Sequence, residues 1–244
     1  MNKLREVFEA DKPIIGMIHL SGYGRERILD NAKREIEILY RYGVSAVLVE
    51  NYFGDQVDVE NTLKFLKEHY SDKVYGVNIL GYPERAFDLA RRYGARFVQM
   101  DSVCGHLEPN YEKSFLKKLE FIRGSGDIFL LGGVRFKYQP VRSGRSLEED
   151  LKMGMERCDA IVVTGEGTGI STDLEKIRIF RKILGDFPLI VGAGMTAQTA
   201  REQLAIADGA IVGSYFKEYG EAEYPVEEAR VRELIFKAGT GCGV

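Results

Sequence analysis

The chain predicts an α/β fold, a (β/α)8 TIM barrel in which parallel strands and helices strictly alternate. Three observations predict it. Eight short apolar runs are interleaved with amphipathic helical stretches along 244 residues. The runs are apolar on both faces, as strands buried in a parallel sheet must be. The length fits one barrel with nothing left over for a second domain, so residues 1–244 are read as a single domain. An open doubly wound sheet is the alternative, and eight consecutive right-handed units favour closure over it.

The apolar runs fall at 14–20, 46–49, 74–80, 97–100, 128–136, 160–163, 189–191 and 210–212. Between them, apolar residues recur every three or four positions, the spacing of a helix with one buried face. Ile28, Ala32, Ile36 and Leu39 make the first face, closed by Gly43. Val59, Leu63, Leu66 and Tyr70 make the second, and Ala86, Leu89, Ala90 and Tyr93 the third. Phe115, Leu119 and Ile122 follow the fourth run. Leu147, Leu151 and Met155 follow the fifth, where Ser146 and Glu149 have the spacing of a capping box. Leu174, Ile177, Phe180 and Leu184 follow the sixth, Ala197, Ala200 and Leu204 the seventh, and Val231, Leu234, Ile235 and Ala238 the eighth. The glycine-rich residues 239–244 read as a frayed end.

Composition narrows the function. Lysine and arginine number 34 against 37 acids, a net charge of −3, which gives no global electrostatic case for nucleic acid or an anionic membrane. Cys104, Cys158 and Cys242 are too sparse for a disulfide framework or a structural zinc site. The charged N-terminus has no apolar core of a signal peptide, and no apolar run is long enough to span a bilayer. A cytoplasmic protein is expected, with no metal and no cofactor. Symmetric self-association is common among such barrels, so a homo-oligomer is also expected.

In a barrel of this kind the functional site is built from the loops after the strands. Three of those loops are rich in glycine: 164–169 after the sixth run, 192–196 after the seventh and 213–217 after the eighth. Glycine lets the backbone approach a ligand, and its exposed N–H groups form an anion cradle. A short helix starting near Ser214 would add its dipole. The predicted phosphate-binding residues are therefore Gly165, Gly167, Gly192, Gly194, Met195, Gly213 and Ser214. Tight turns alone are the alternative account of these glycines.

Polar residues at the remaining strand ends are the candidates for chemistry: His19, Glu50, Asn51, Asn78, Gln99, Asp101, Arg135, Lys137 and Thr164. Of these, Glu50, His19, Asn78, Asp101 and Lys137 are the expected catalytic set. Glu50 either pairs with Lys137 across the barrel or serves as an acid or base with a raised pKa. Asp101 either caps a segment or joins Glu50 at a metal, and two carboxylates without a tighter motif leave the metal unsupported. Arg135 and Lys137 alternate along a strand and are expected on one side of it. Arg142 and Arg145 lie in a loop that either folds over an anionic ligand or is an ordinary solvated loop. Cys104 and His106 are too few for a metal site.

These residues carry a resemblance to the BtpA family, which includes SgcQ-like proteins. The matching stretches are Ile15-Gly16-Met17-Ile18-His19-Leu20, Val49-Glu50-Asn51 with Phe53-Gly54-Asp55, and Gly76-Val77-Asn78-Ile79-Leu80. They continue with Ile161-Val162-Val163-Thr164-Gly165 and Thr168-Gly169, then Val191-Gly192-Ala193-Gly194-Met195-Thr196. Asp208-Gly209-Ala210-Ile211-Val212-Gly213-Ser214 with Phe216-Lys217, and Arg230-Val231, complete the pattern. The resemblance implies a phosphate-binding barrel of the ribulose-phosphate-binding type. The chain departs from the family at Ser21-Gly22-Tyr23-Gly24, where a proline-rich turn is usual, and in the segment 101–107. On the fifth strand Gly133 stands in place of an acid and Tyr138 in place of a histidine, while Lys137 is kept. The expected function is an enzyme acting on a small phosphorylated metabolite by isomerase, lyase or transferase-like chemistry. A non-catalytic assembly factor for a membrane complex, as the family name suggests, or a metabolite sensor, is the alternative.

Overall fold

The computed structural model describes residues 3–124 and 126–239. Eight strands close into one parallel barrel in sequence order. They are β1 (Ile14–Ile18), β2 (Ala46–Glu50), β3 (Tyr75–Asn78), β4 (Phe97–Cys104), β5 (Phe129–Val134), β6 (Ala160–Val163), β7 (Leu189–Val191) and β8 (Gly209–Val212). Closure is direct: β1 pairs with β2 on one side and with β8 on the other, Ile14 opposite Ala210 and Gly16 opposite Val212. Helices α2 (Arg25–Arg41), α3 (Gln56–His69), α4 (Pro83–Tyr93), α5 (Pro109–Arg123), α6 (Leu147–Met155), α7 (Leu174–Leu184), α8 (Ala200–Leu204) and α9 (Glu228–Ala238) form the outer ring, after a short α1 (Lys3–Phe8). No helix of the described residues is long and apolar enough to cross a membrane.

Alternation along each strand divides the buried side chains into two shells. Ile15, Met17, Leu48, Phe97, Phe129, Leu131, Val162, Ile190 and Ile211 fill the barrel interior. Ile14, Ile18, Val47, Val49, Val98 and Val163 face the helices. Each fully buried side chain of this size contributes about 1.5–3 kcal/mol. The interior stays packed because small residues sit opposite large ones. A Cβ on Gly76 would lie 2.4 Å from the Phe97 ring, and one on Gly192 would lie 2.3 Å from Val162.

The base of the barrel is closed by a short helix that no periodicity in the sequence marks. α1 inserts Leu4 and Phe8 into the interior shell, with the Phe8 ring tilted against Phe97 at 4.9 Å and edge-on to Phe129 at 5.9 Å. Its six residues are too short to carry a helical period. The capping box at Ser146 and Glu149 forms as expected, and a second one joins Asp55 and Asp58 at the start of α3. The glycine-rich end lies outside the described residues beyond Gly239, which closes α9 in the left-handed region. Cys242 lies outside them too.

Two strand ends depart from expectation, and both shape the mouth. β5 stops at Val134 rather than continuing to Phe136, because Arg135 turns the chain at φ +48. β4 runs past Met100 to Cys104 through an irregularity in its pairing with β5. The two are linked at Gly133, where a Cβ would lie 2.0 Å from the Asp101 carbonyl oxygen. Only glycine lets the bulged backbone of β4 come so close, and bulges re-aim the side chains that follow.

Candidate functional site

The C-terminal ends of the strands bring most of the predicted residues to one cavity. His19 follows β1, Glu50 ends β2, Asp101 lies in the bulged part of β4 and Lys137 follows β5; all four line it. Gly192 and Gly194 after β7, and Gly213 and Ser214 after β8, line the opposite wall. Asn78 ends β3 beneath the cavity and joins its carboxylates.

One wall is a buried carboxyl pair. The Asn78 amide donates to Glu50 Oε2 at 3.2 Å and to Asp101 Oδ1 at 3.1 Å. Gln99 donates a further hydrogen bond to Asp101 Oδ1 at 3.2 Å. Burial, reinforced by the neighbouring Asp101 charge, pushes the Glu50 carboxyl up to about 8. Burial also raises Asp101, opposed by the amides of Asn78 and Gln99 and by Lys137. Asp101 therefore ionises first, and its charge helps Glu50 keep its proton at neutral pH.

Lys137 does not pair with Glu50. Its Nζ donates to Thr168 Oγ1 at 3.0 Å, and its backbone N–H donates to Thr164 Oγ1 at 2.9 Å. Its charge still lowers both carboxyls. His19 is buried, with its ring 5.3 Å from Tyr52 and its Nδ1 without a partner among the described residues. Burial, with the charges of Lys217 and Lys137, holds it well below the usual histidine range, so it is neutral at pH 7. It rests against Gly213, where a Cβ would lie 2.7 Å from Cε1.

The other wall is backbone. Gly169, Gly194, Gly213 and Ser214 all line the cavity. Among the described residues none of their N–H groups is spent on a hydrogen bond. Gly194 needs its φ of +66, and a Cβ there would lie 2.1 Å from the Ile170 carbonyl oxygen. After β8 the chain forms only a three-residue 3-10 turn, Ser214–Phe216. The expected helix dipole is therefore replaced by these free N–H groups alone. An array of unpaired N–H donors beside a lysine suits an anion.

Several predicted residues lie elsewhere. The Met195 side chain is buried between barrel and helices, so only its backbone is near the loop. Gly165 and Gly167 do not line the cavity; they pack against the 170–171 backbone and the Ile170 side chain. Arg135 does not share a side with Lys137, because its positive φ sends it to Asp150 at 2.9 Å. Arg145 is no lid: it pairs with Asp150 at 2.9 Å and Glu112 at 2.7 Å under the surface. Arg142 is exposed, on a loop pinned to the Gly105 carbonyl. Asn51 accepts from the Leu80 N–H at 2.7 Å, a structural bond. Among the described residues no cluster of three or more His, Cys, Asp or Glu is placed to hold a metal.

The cavity also holds two tyrosines outside the expected catalytic and phosphate-binding sets. Tyr52 and Tyr138 close its rim, and the Tyr138 hydroxyl accepts from the Thr168 N–H at 2.8 Å. Their signal was position, directly after β2 and within three residues of Arg135. Tyrosines so numerous read more readily as packing.

The model of the BtpA family matches residues 10–240. An uncharacterized protein of Methanocaldococcus jannaschii is 27% identical, covering 92% of this chain and 94% of its own. The photosystem I biogenesis protein BtpA of Synechocystis is 24% identical, covering 95% of this chain and 90% of its own. Among solved structures, a native KDPGal structure superposes with a TM-score of 0.65 at 17% identity, covering 92% of this chain and 93% of that one. 3-Hexulose-6-phosphate synthase from Salmonella typhimurium superposes at 0.62 and 15% identity, covering 93% and 98%. At such identities these likenesses concern the fold.

Proposed function

The chain belongs to the BtpA family, and on that premise we propose that it is an enzyme acting on a small phosphorylated metabolite by proton transfer, in an isomerase, lyase or transferase-like reaction. One observation carries the reading: unpaired backbone N–H groups of Gly169, Gly194, Gly213 and Ser214 share a cavity with the carboxyl pair of Glu50 and Asp101. The N–H groups and Lys137 hold the phosphate. That anchoring fixes the rest of the substrate over the carboxyl pair. Glu50, protonated at neutral pH, donates a proton, and Asp101, ionised first, accepts one. Asn78 positions both carboxyls. Neutral His19 orients the substrate by hydrogen bonding, and Lys137 stabilises negative charge that develops nearby. The barrel is shared with an enzyme whose name carries a sugar phosphate, 3-hexulose-6-phosphate synthase, which agrees with this reading.

Turnover and thermal shift against a panel of sugar phosphates test it. A saturable shift with at least one phosphorylated compound, and turnover lost in Glu50→Gln with folding retained, is the expected result. A protein that responds to none of them, or a Glu50→Gln variant as active as the parent, contradicts it.

A further inference from the structure

The cavity has a neighbour on the far side of Asp101. It lies between the loop after β3 and the loop after β4, and it shares Leu80, Gln99 and Asp101 with the first. We propose that it is a second subsite, which receives the hydroxylated, uncharged end of a sugar monophosphate whose phosphate sits in the glycine cradle. The proposal rests on the phosphate reading above and adds the class of substrate to it.

The observation that carries it is a concentration of unsatisfied polarity. Five buried side-chain atoms among the described residues have no hydrogen-bond partner, and three of them belong to residues lining this one pocket: Gln99 Oε1, Ser102 Oγ and His106 Nδ1. Buried polar groups are ordinarily paired, so such a cluster marks a place where a partner is brought from outside. Gln99 is 4% exposed, and its orientation is set. Its amide nitrogen is committed to Asp101, which leaves the oxygen as the free atom. That oxygen only accepts, so the ligand must bring a donor. The Ser102 hydroxyl accepts or donates. His106 is held edge-on to Phe115 at 5.2 Å and beside the Cys104 backbone, and burial, opposed by Glu112 and that backbone, lowers its pKa, so it is uncharged at neutral pH.

Charge decides which donor-bearing group fits. Among the described residues no lysine or arginine lines the pocket, and Asp101 does. A second phosphate would meet no cation and one carboxylate, so a bisphosphate is disfavoured. Met100, Phe115 and Pro83 supply an apolar wall suited to the C–H faces of a carbon chain, and rotation of the Ser102 and His106 side chains on binding brings their closed-off polar atoms to its hydroxyls. The β4 bulge made possible by Gly133 is what places Asp101 and Ser102 side by side at the junction of the two cavities.

Isothermal titration of the purified protein with three probes tests this: inorganic phosphate, a pentose 5-phosphate and the matching pentose 1,5-bisphosphate. The monophosphate is expected to bind at least about tenfold more tightly than inorganic phosphate, and the bisphosphate no more tightly than the monophosphate. Ser102→Ala and His106→Phe are each expected to remove most of that tenfold gain, to leave inorganic phosphate affinity unchanged, and to melt no lower than the parent. The melting readout separates ligand recognition from a structural role, since each variant deletes a buried atom with no partner. The subsite is overturned if the monophosphate gains nothing over inorganic phosphate, if the variants leave its affinity unchanged or weaken both probes alike, if they melt lower, or if the bisphosphate binds best. Failure of the parent to bind any of the three probes overturns the cradle and the subsite with it.

Discussion

Glu50 and Asp101 share a single amide: the two N–H bonds of Asn78 point one to each carboxyl, at 3.2 Å and 3.1 Å. The arrangement holds acids from β2 and β4 together over the end of β3, which lies between them, and leaves them in unequal environments. Asp101 takes a second amide from Gln99, whereas among the described residues Glu50 has Asn78 alone. The same geometry gives the protein a proton held near neutrality and a cost for holding it.

That cost is measurable as pH-dependent stability. The folded protein keeps Glu50 protonated up to about pH 8, whereas the unfolded chain ionises near 4.5. Stability therefore falls as pH rises through that window and levels above it. The total is on the order of 5 kcal/mol. Glu50→Gln removes the dependence, so its stability relative to the parent should improve steadily from pH 5 to pH 8 in denaturant titrations. A difference that is flat with pH would contradict the buried, protonated state.

Lys137 lowers the Glu50 pKa. With Glu50 as proton donor, kcat/KM falls as pH rises through about 8. Lys137→Met should move that descending limb to higher pH and weaken phosphate binding by about tenfold or more, the loss of one charge-assisted contact. A limb that stays in place would mean the two groups do not sense each other.

Gly133 is the residue on which the β4 bulge depends. Gly133→Ala puts a methyl 2.0 Å from the Asp101 carbonyl oxygen, within rigid backbone. Thermal unfolding should show a loss of about 1–3 kcal/mol or more, and activity should fall further than stability because Asp101 is displaced. An unperturbed variant would show that the bulge yields easily.

Lys217, whose charge helps lower the His19 pKa, is fully buried and pairs with Glu35 at 2.6 Å. Lys217→Met strands a buried carboxylate and should cost about 3–5 kcal/mol. Pairing it with Glu35→Leu should recover most of the loss. If the double variant is no better than the single one, the pair is not the source of the cost.

Much of this was legible in the chain. Eight apolar runs interleaved with periodic helices specify the barrel, and the rule that chemistry sits at strand ends found His19, Glu50, Asn78, Asp101 and Lys137 together. What escaped depends on approach distances. Nothing in the string shows that Gly133 admits the Asp101 backbone, so the extension of β4 was hidden. Arg135 and Lys137 read as strand neighbours because a positive φ at arginine has no local signal. Glycines in the 164–169 loop resemble those of the cradle, yet Gly165 and Gly167 make room for residues 170–171, and only contacts distinguish the two uses. The orphaned atoms of Gln99, Ser102 and His106 are a property of three dimensions alone.

The free N–H groups after β6, β7 and β8 are the proposed seat of phosphate binding. Titration of the parent protein and of Gly213→Ala with inorganic phosphate, followed by calorimetry, tests it most directly. The substituted Cβ meets His19 at 2.7 Å and forces that wall to move. Saturable one-to-one binding in the parent, weakened at least about tenfold by the substitution, is the predicted result. No saturable binding, or equal affinity in both proteins, would contradict it.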